Sequence, residues 1–441
     1  MKPLPAPGDT LFLSRGGSAL TVGRRLQEGG QGVVHEASVG DGVFALKWLR
    51  PSPRSEALRQ TIGSLVERPR PHPAFVWPID IVVSPELEGF GYVMRLLEPR
   101  FVSFARMLTD QPSFRSIITV ARRLVEAFSA LHGSGLCYRD ISFSNLYVDP
   151  IRAEVAIIDN DNVGLDGGEI FVKGTNQFMA PEIVRDEALP STTTDLYSLA
   201  VFLFILFMRG HPLEGLRALS GYSWSETDRV SEHELLLRNY GFDPLFVFDP
   251  RNESNRPPPD SPVSVYWPIY PGFFRELFTR SFTDGLVDAS LSGRITASAW
   301  RRGLSRLADL QAVCTCNAAI FFDPEQPDRP CWNCGSVPPP QPVLRLPGRT
   351  VVLAAGTVIT SEHLQRDRAL DEPVAVVEPH PDRPGSVVLR NVSQLTWSVE
   401  PEAEEAKTVA PSQRLGVRPM RIGFGPTQAE IGFSGDSPTS R

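Results

Sequence analysis

The chain shows no excess of positive charge, no apolar run of membrane-spanning length and little cysteine. Against 44 Lys and Arg stand 51 Asp and Glu over 441 residues, a net charge of −7. A dedicated nucleic-acid binder usually presents a basic face, so that class is set aside. The most apolar run, LYSLAVFLFILFM at 196–208, is too short to cross a bilayer and reads as a buried helix, so no membrane partner is expected. The opening MKPLPAPGDTLFLS has no basic region followed by a long apolar core, so no secretion signal is expected and the expected compartment is the cytoplasm. There are five cysteines, and four of them cluster. In a reducing compartment such pairs suggest a metal rather than disulfides. No internal repeat stands out.

What is present is a globular composition, 41% hydrophobic and 22% charged, and length enough for several domains. Residues 20–98 read mostly as strands. GRRLQEGGQGVVHEASVGDGVFALKWL alternates and carries turn glycines, like three antiparallel strands. A helix is expected near 54–67. After residue 100 the period becomes helical: Ile117, Ala121, Leu124, Phe128 and Leu131 share one face. Further helices fit 195–208, 271–281 and 296–311. The prolines of GSVPPPQPV, 335–343, form a stiff linker, and the chain beyond it is β-rich.

Four pieces with chemical potential occur in one order. LQEGGQGVV, 26–34, places Gly29, Gly30 and Gly32 in a hairpin where backbone can approach a phosphate, or where a hairpin simply turns. FALK places Lys47 in an apolar strand. An unpaired ammonium is costly there, unless it snorkels from an edge. YRDISFSN, 138–145, holds Asp140, which can accept a hydroxyl proton, and Asn145, which can offer an oxygen to a cation. VAIIDND, 155–161, closes an apolar strand with Asp159, a metal carboxylate or a turn residue. Phosphoryl transfer requires clamped phosphates, a placed metal charge and an aimed hydroxyl, and the four pieces together supply these.

With these motifs, residues 20–311 resemble a protein kinase of the eukaryotic-like serine/threonine type. The resemblance implies an α+β, bilobal fold: a β-rich lobe over 1–97, a helical lobe over 98–312 and a nucleotide cleft between them. It implies ATP and Mg2+. By position, Gly29, Gly30 and Gly32 cover phosphates, and Lys47 contacts the α- and β-phosphates. Val34, Ala45, Met94 and Leu96 belong to the nucleotide site, with Met94 as gatekeeper and Arg95 to Leu97 as the hinge that meets the adenine. Asp140 is the catalytic base, while Asn145 and Asp159 hold magnesium. KGTNQFMAPE, 173–182, resembles the end of an activation segment, with Thr175 bonded to the catalytic Asp. Asp195 matches the residue that holds the catalytic loop, and Arg294 the partner of Glu182.

The pattern departs in places. Gln27 replaces the first loop glycine, Tyr138 the usual His, Ser142 the usual Lys, and Asn160-Asp161 the usual Phe-Gly. The helix glutamate that pairs with the strand lysine has no clear counterpart; Glu56 and Glu67 are candidates, and Gln60 aligns best. With Ser142 in place of the usual lysine a cation near the transferring phosphoryl group is lost, at an expected rate cost on the order of a hundredfold. No Ser, Thr or Tyr lies between Asp159 and Lys173, so activity without loop phosphorylation is expected, with Asp166 or Glu169 as a fixed negative charge near Arg139. The alternative function is a nucleotide-binding pseudokinase acting as a scaffold.

Cys314 and Cys316, then Cys331 and Cys334, have the spacing of a four-thiolate structural Zn2+ knuckle over 313–336. That knuckle is expected to clamp the kinase region to the C-terminal part of the chain. Cys137 reads as a core residue. Residues 337–441 resemble, loosely, a forkhead-associated β-sandwich. Ser361, His363 and Asn391 are its polar candidates, but they do not form the usual phosphothreonine-reading set. The whole arrangement resembles a bacterial kinase family whose relatives accompany PPM-type phosphatases and von Willebrand factor A proteins. That implies such partners beside protein substrates.

Overall fold

The protein is described by a computed structural model covering residues 4–168, 174–220, 231–364, 372–401 and 405–435. Lys173 and Glu169 lie outside the described residues. The chain divides into two compact units, Met1–Val265 with Leu277–Arg301, and Tyr266–Glu276 with Arg302–Arg441.

The alternating stretches of the first unit form strands. They are β1 (Thr10–Leu13), β2 (Ala19–Glu28), β3 (Gly32–Val39), β4 (Gly42–Leu49), β5 (Pro78–Val83) and β6 (Phe90–Arg95). They close into an antiparallel barrel in the order β1-β2-β3-β4-β6-β5. Leu20, Val22, Val33, Leu46 and Trp48 fill it. β1 is an addition to the expected sheet. Leu11 pairs with Leu20 of β2, and Phe12 with Val83 of β5, so both flanking edges are covered. The opposite face, with Ala45, Tyr92 and Met94, packs against Ile62 of α1 (Ser55–Glu67) and Ala156 of the larger lobe.

In that lobe α2 (Phe114–Gly133) buries the face that the spacing marks, Ile117 to Leu131. α3 (Thr192–Met208) is buried almost all round and opens with a Ser191–Thr194 capping box, three residues before the expected start. Among the described residues no helix is long and apolar enough to cross a membrane. The hairpin β7 (Leu146–Val148) and β8 (Val155–Ile157) carries the cleft loops at its open end.

The longer segment of the second unit begins inside α4 (Ala297–Asp309), at Arg302. The reason is local pairing. Asp309 accepts hydrogen bonds from Arg349 and from His363 Nε2, Ser305 meets Glu362, and Arg306 lies over the Phe273 ring. A six-stranded and a four-stranded antiparallel sheet complete this unit. Trp397, Ile422 and Phe424 of the first share one core with Val377, Leu389 and Leu415 of the second. The stretch 349–360 forms two strands, Arg349–Val352 and Val358–Thr360, on either side of a turn at Gly356, whose φ is 82°.

Candidate active site

Lys47 points inward from β4, opposite Tyr92 of β6, and is 5% exposed. Its Nζ lies 2.9 and 3.0 Å from the two carboxylate oxygens of Asp161 and 3.1 Å from Asp159 Oδ1. The Tyr92 hydroxyl donates to Asp161 Oδ1 at 2.8 Å. Burial works against the ammonium, but Asp161 and Asp159 outweigh it and hold the Lys47 pKa above its ordinary value. Burial raises the Asp159 carboxyl; Lys47 opposes this and neighbouring Asp161 adds to it. Burial and then Asp161 raise Tyr92 well above 10, so its hydroxyl stays a donor.

The loop after Cys137 is held from behind. Asp195 of α3 accepts the backbone N–H groups of Tyr138 (2.6 Å) and Arg139 (2.9 Å), with His132 Nε2 at 2.9 Å. This brace tolerates Arg139 at φ 76°. The Tyr138 hydroxyl donates to the Ile158 carbonyl, tying this loop to the residue before Asp159. Asn145 Nδ2 donates to Asp140 Oδ2 at 2.9 Å and to the Asp140 carbonyl at 3.0 Å. Thr175 Oγ1 donates to Asp140 Oδ1 at 2.7 Å. Ile158 N donates to the Asn145 carbonyl at 2.9 Å, which sets Asn145 beside the strand end that carries Asp159. Asp140, Asn145, Asp159 and Lys47 therefore stand in one continuous hydrogen-bonded region.

Next to it lies an apolar wall. Ala45 and Met94, with the half-buried Val34, Leu96, Tyr147 and Ile158, belong to one hydrophobic cluster. That surface suits a flat aromatic base. Gly29 and Gly30 form an open turn, where an added Cβ would meet nothing within 4 Å. Gly32 has a different reason to be glycine: a Cβ there would sit 2.0 Å from the Trp48 carbonyl oxygen. It serves strand approach in the hairpin.

The downstream residues fall as supports. Arg294 Nη2 meets Glu182 Oε1 at 2.6 Å, both buried. Asp166 accepts from Thr192 N at 2.9 Å and from its hydroxyl, and the Arg139 guanidinium donates to the Leu165 carbonyl. Cys137 is buried, and burial pushes its thiol up to about 11, which suits a core residue.

The protein kinase domain family matches residues 21–242, just over half of the chain. The chain belongs to the protein kinase family. Among curated relatives, a probable casein kinase II subunit alpha homolog of Encephalitozoon cuniculi is 24% identical over 136 residues, 31% of this chain and 41% of that protein. Serine/threonine-protein kinase pkn3 of Myxococcus xanthus is 29% identical over 110 residues, 22% of this chain and 20% of that protein. The chain spans less than half the length of these curated relatives. Among solved structures, it is similar to the autoinhibited serine kinase domain of the giant muscle protein titin. That likeness has 16% identity and a TM-score of 0.47, over 65% of this chain and 80% of that one.

The kinase's donor set suits magnesium. Asp159 and Asn145 both offer hard oxygens; Asn145 turns its amide nitrogen to Asp140, and its Oδ1 accepts only a long 3.3 Å bond from the Ser144 hydroxyl. Two residues of the site escaped the sequence reading, which treated Asp161 only as a lost glycine and passed over Tyr92. The available signal was compositional. The chain has four lysines against forty arginines, so a lysine kept inside an apolar strand requires a counter-charge nearby. The candidates Glu56, Gln60 and Glu67 are all exposed; Gln60 bonds to Glu56, and Glu67 lies 4.0 Å from Arg15.

A second centre lies in the other unit. The Sγ atoms of Cys314, Cys316, Cys331 and Cys334 lie within 4.8 Å of one another. Cys314 and Cys334 are 3.7 Å apart, and Cys316 and Cys331 3.8 Å. A tetrahedron with metal–sulfur bonds of about 2.3 Å has edges of about 3.8 Å, so the set fits zinc. Asn317 and Gly335, each just after the second cysteine of its pair, take positive φ of 64° and 73°, which turns both knuckles inward. Cys314 and Cys331 pack with Ile320 against Val343 and Val352 of the six-stranded sheet. The knuckle therefore shares a core with that sheet. His363 and Asn391 are occupied internally. Asn391 donates to the Leu395 and Val409 carbonyls, and Thr360 N donates to His363 Nδ1.

Proposed function

We propose that this kinase transfers the γ-phosphoryl group of ATP, with magnesium, to serine and threonine hydroxyls of proteins, itself included. One observation carries the reading: Lys47, Asp140, Asn145 and Asp159 meet in one hydrogen-bonded region beside an apolar wall. In this reading Lys47 steadies the α- and β-phosphates. Asp140 orients the attacking hydroxyl and takes its proton as the oxygen–phosphorus bond forms and ADP leaves. Asn145 and Asp159 hold magnesium, which supplies charge neutralisation. The Thr175–Asp140 bond supports a serine/threonine preference, and pkn3 carries that description by name.

The four cysteines belong to the same reading as a structural zinc site, since no ligand position is left open. The two sheets act as a forkhead-associated-like docking domain, and the thiol-held centre fits a cytoplasmic setting. A PPM-type phosphatase and a von Willebrand factor A protein are partners on the strength of the sequence resemblance alone.

The test is incorporation of γ-labelled phosphate from ATP and magnesium by the purified full chain, beside Asp140→Asn. Label on Ser or Thr that the variant loses is the expected result. Nucleotide binding with no label in either form would instead favour the scaffold pseudokinase.

A further inference from the structure

A protein kinase needs its strand lysine fixed by a carboxylate, and the usual source is a glutamate on the helix after that strand. Here that helix cannot supply one. Its inward face is hydrocarbon: Leu58, Ile62, Leu65 and Val66. Its carboxylates Glu56 and Glu67 are exposed. A cavity of about 340 Å³ has Leu58 and Arg54 on its helix side and the Asp161–Asn162 turn on another.

The counter-charge comes from the turn after β8. Asp161, 5% exposed, places both carboxylate oxygens on Lys47, at 2.9 and 3.0 Å. The turn is anchored. Asn160 Nδ2 donates to the Val76 carbonyl at 2.7 Å and to the Ile157 carbonyl at 3.2 Å. Tyr92, on the strand beside Lys47, fixes Asp161 from the other side at 2.8 Å. A lysine between two carboxylates leaves one negative charge in excess. When Asp159 turns to a divalent cation, Asp161 still holds the ammonium.

We propose that Asp161, supported by Tyr92, is the positioning residue for Lys47 and replaces the helix glutamate. The lysine clamp and the metal carboxylate then ride on one rigid turn, Asp159–Asp161. The pair forms whatever the position of α1, so control of this kinase does not run through a swing of that helix. This inference rests on the kinase reading above for its rate consequences, while its binding consequences stand apart from it.

The experiment is a double-mutant cycle on the full chain with Asp161→Asn, Lys47→Met and both together. It reads the Kd for a fluorescent ATP analogue with and without magnesium, and kcat and KM for ATP. Asp161→Asn is expected to weaken nucleotide binding and to lower kcat/KM by about tenfold to a hundredfold, the scale of a misplaced group. Added to Lys47→Met, it should change little. Tyr92→Phe should lie in between. Glu56→Gln, Gln60→Ala and Glu67→Gln should remain within about twofold of the parent, well below that misplacement scale. The double variant removes both buried charges and keeps the test readable if a single variant fails to fold. Additive effects of Asp161→Asn and Lys47→Met on Kd, or a loss confined to a helix variant, overturn the proposal. A parent that never transfers phosphate but shows the Kd coupling sinks the kinase reading and leaves this one intact. A parent that transfers phosphate without any coupling does the reverse.

Discussion

Glu182 and Arg294 are 112 residues apart in sequence and 2.6 Å apart in the core of the larger lobe. The Arg294 guanidinium also lies 4.8 Å from the Tyr197 ring centroid. Both side chains are buried, so neither charge has water to fall back on. Breaking such a pair from one side costs about 3–5 kcal/mol. Glu182→Gln and Arg294→Met should each lower Tm by roughly 10 °C at the few degrees per kcal/mol of a domain this size. The double replacement Glu182→Leu with Arg294→Met should recover part of that loss. Calorimetry on the three forms decides it, and a double variant worse than the sum would contradict a paired role. Nucleotide affinity should not move, because the pair touches none of the site residues.

The Thr175–Asp140 bond is a different kind of contact, exposed and inside the candidate site. Asn145 holds one oxygen of Asp140 and Thr175 the other, so the carboxylate has one orientation. Thr175→Ala frees it. The expected effect is a fall in kcat of about tenfold, well short of the 10²–10⁴-fold expected on losing a general base, the role proposed for Asp140. Thr175→Ser should restore most of the rate. An unchanged Kd for nucleotide with lowered kcat is the signature; a matched rise in KM would argue for a substrate-binding role instead.

His211 gives the lobe a pH dependence. Burial holds its pKa below the ordinary 6.5, against the pull of Glu214. Its Nε2 donates to the Gln177 carbonyl at 2.8 Å, and its Nδ1 accepts from Leu213 N at 3.1 Å. The folded protein therefore requires the neutral ring. With the folded pKa depressed, the stabilisation is present above the unfolded value and is lost as pH falls through about 6.5 toward the folded value. Acidification should loosen the segment of Gln177, two residues from Thr175. Comparing Tm with that of His211→Gln between pH 8 and pH 5 should show the two curves converging at the acid end. Parallel curves would remove the histidine from the account.

The strand lysine, the Asp-Asn loop and the helix periods were legible because each arises from local chemistry or spacing. Asp161 was not, because its meaning depends on a strand over a hundred residues away and on a helix face that proves apolar. β1 was missed for a related reason. TLFL is too short to signal a strand and becomes one only when β2 and β5 offer edges on both sides. The cysteine spacing was readable, but which surface the knuckle covers was not. Val343 and Val352 look like any other strand residues until the fold turns them toward Cys314 and Cys331.

The cysteine centre yields the last prediction. Two sulfur pairs at 3.7 and 3.8 Å, in a set of four no more than 4.8 Å apart, with a positive-φ residue after each knuckle, bring the thiols together for one ion. The surrounding core is small, only a few apolar side chains against one edge of the six-stranded sheet. Apolar burial on that scale does not by itself overcome the ordering entropy of residues 311–336. On the proposed zinc reading the metal supplies the difference, since thiolate zinc sites contribute about 10 kcal/mol or more in apparent binding energy. Protein purified without chelator should carry one zinc per chain by elemental analysis. Cys316→Ser should lose it, with selective loss of amide protection across 311–336 and along Val343 and Val352. Cys137→Ser, outside the cluster, should keep it. Full protection of those amides in protein shown to be free of metal would mean that the thiols pack as ordinary core residues, and the site would lose its ion.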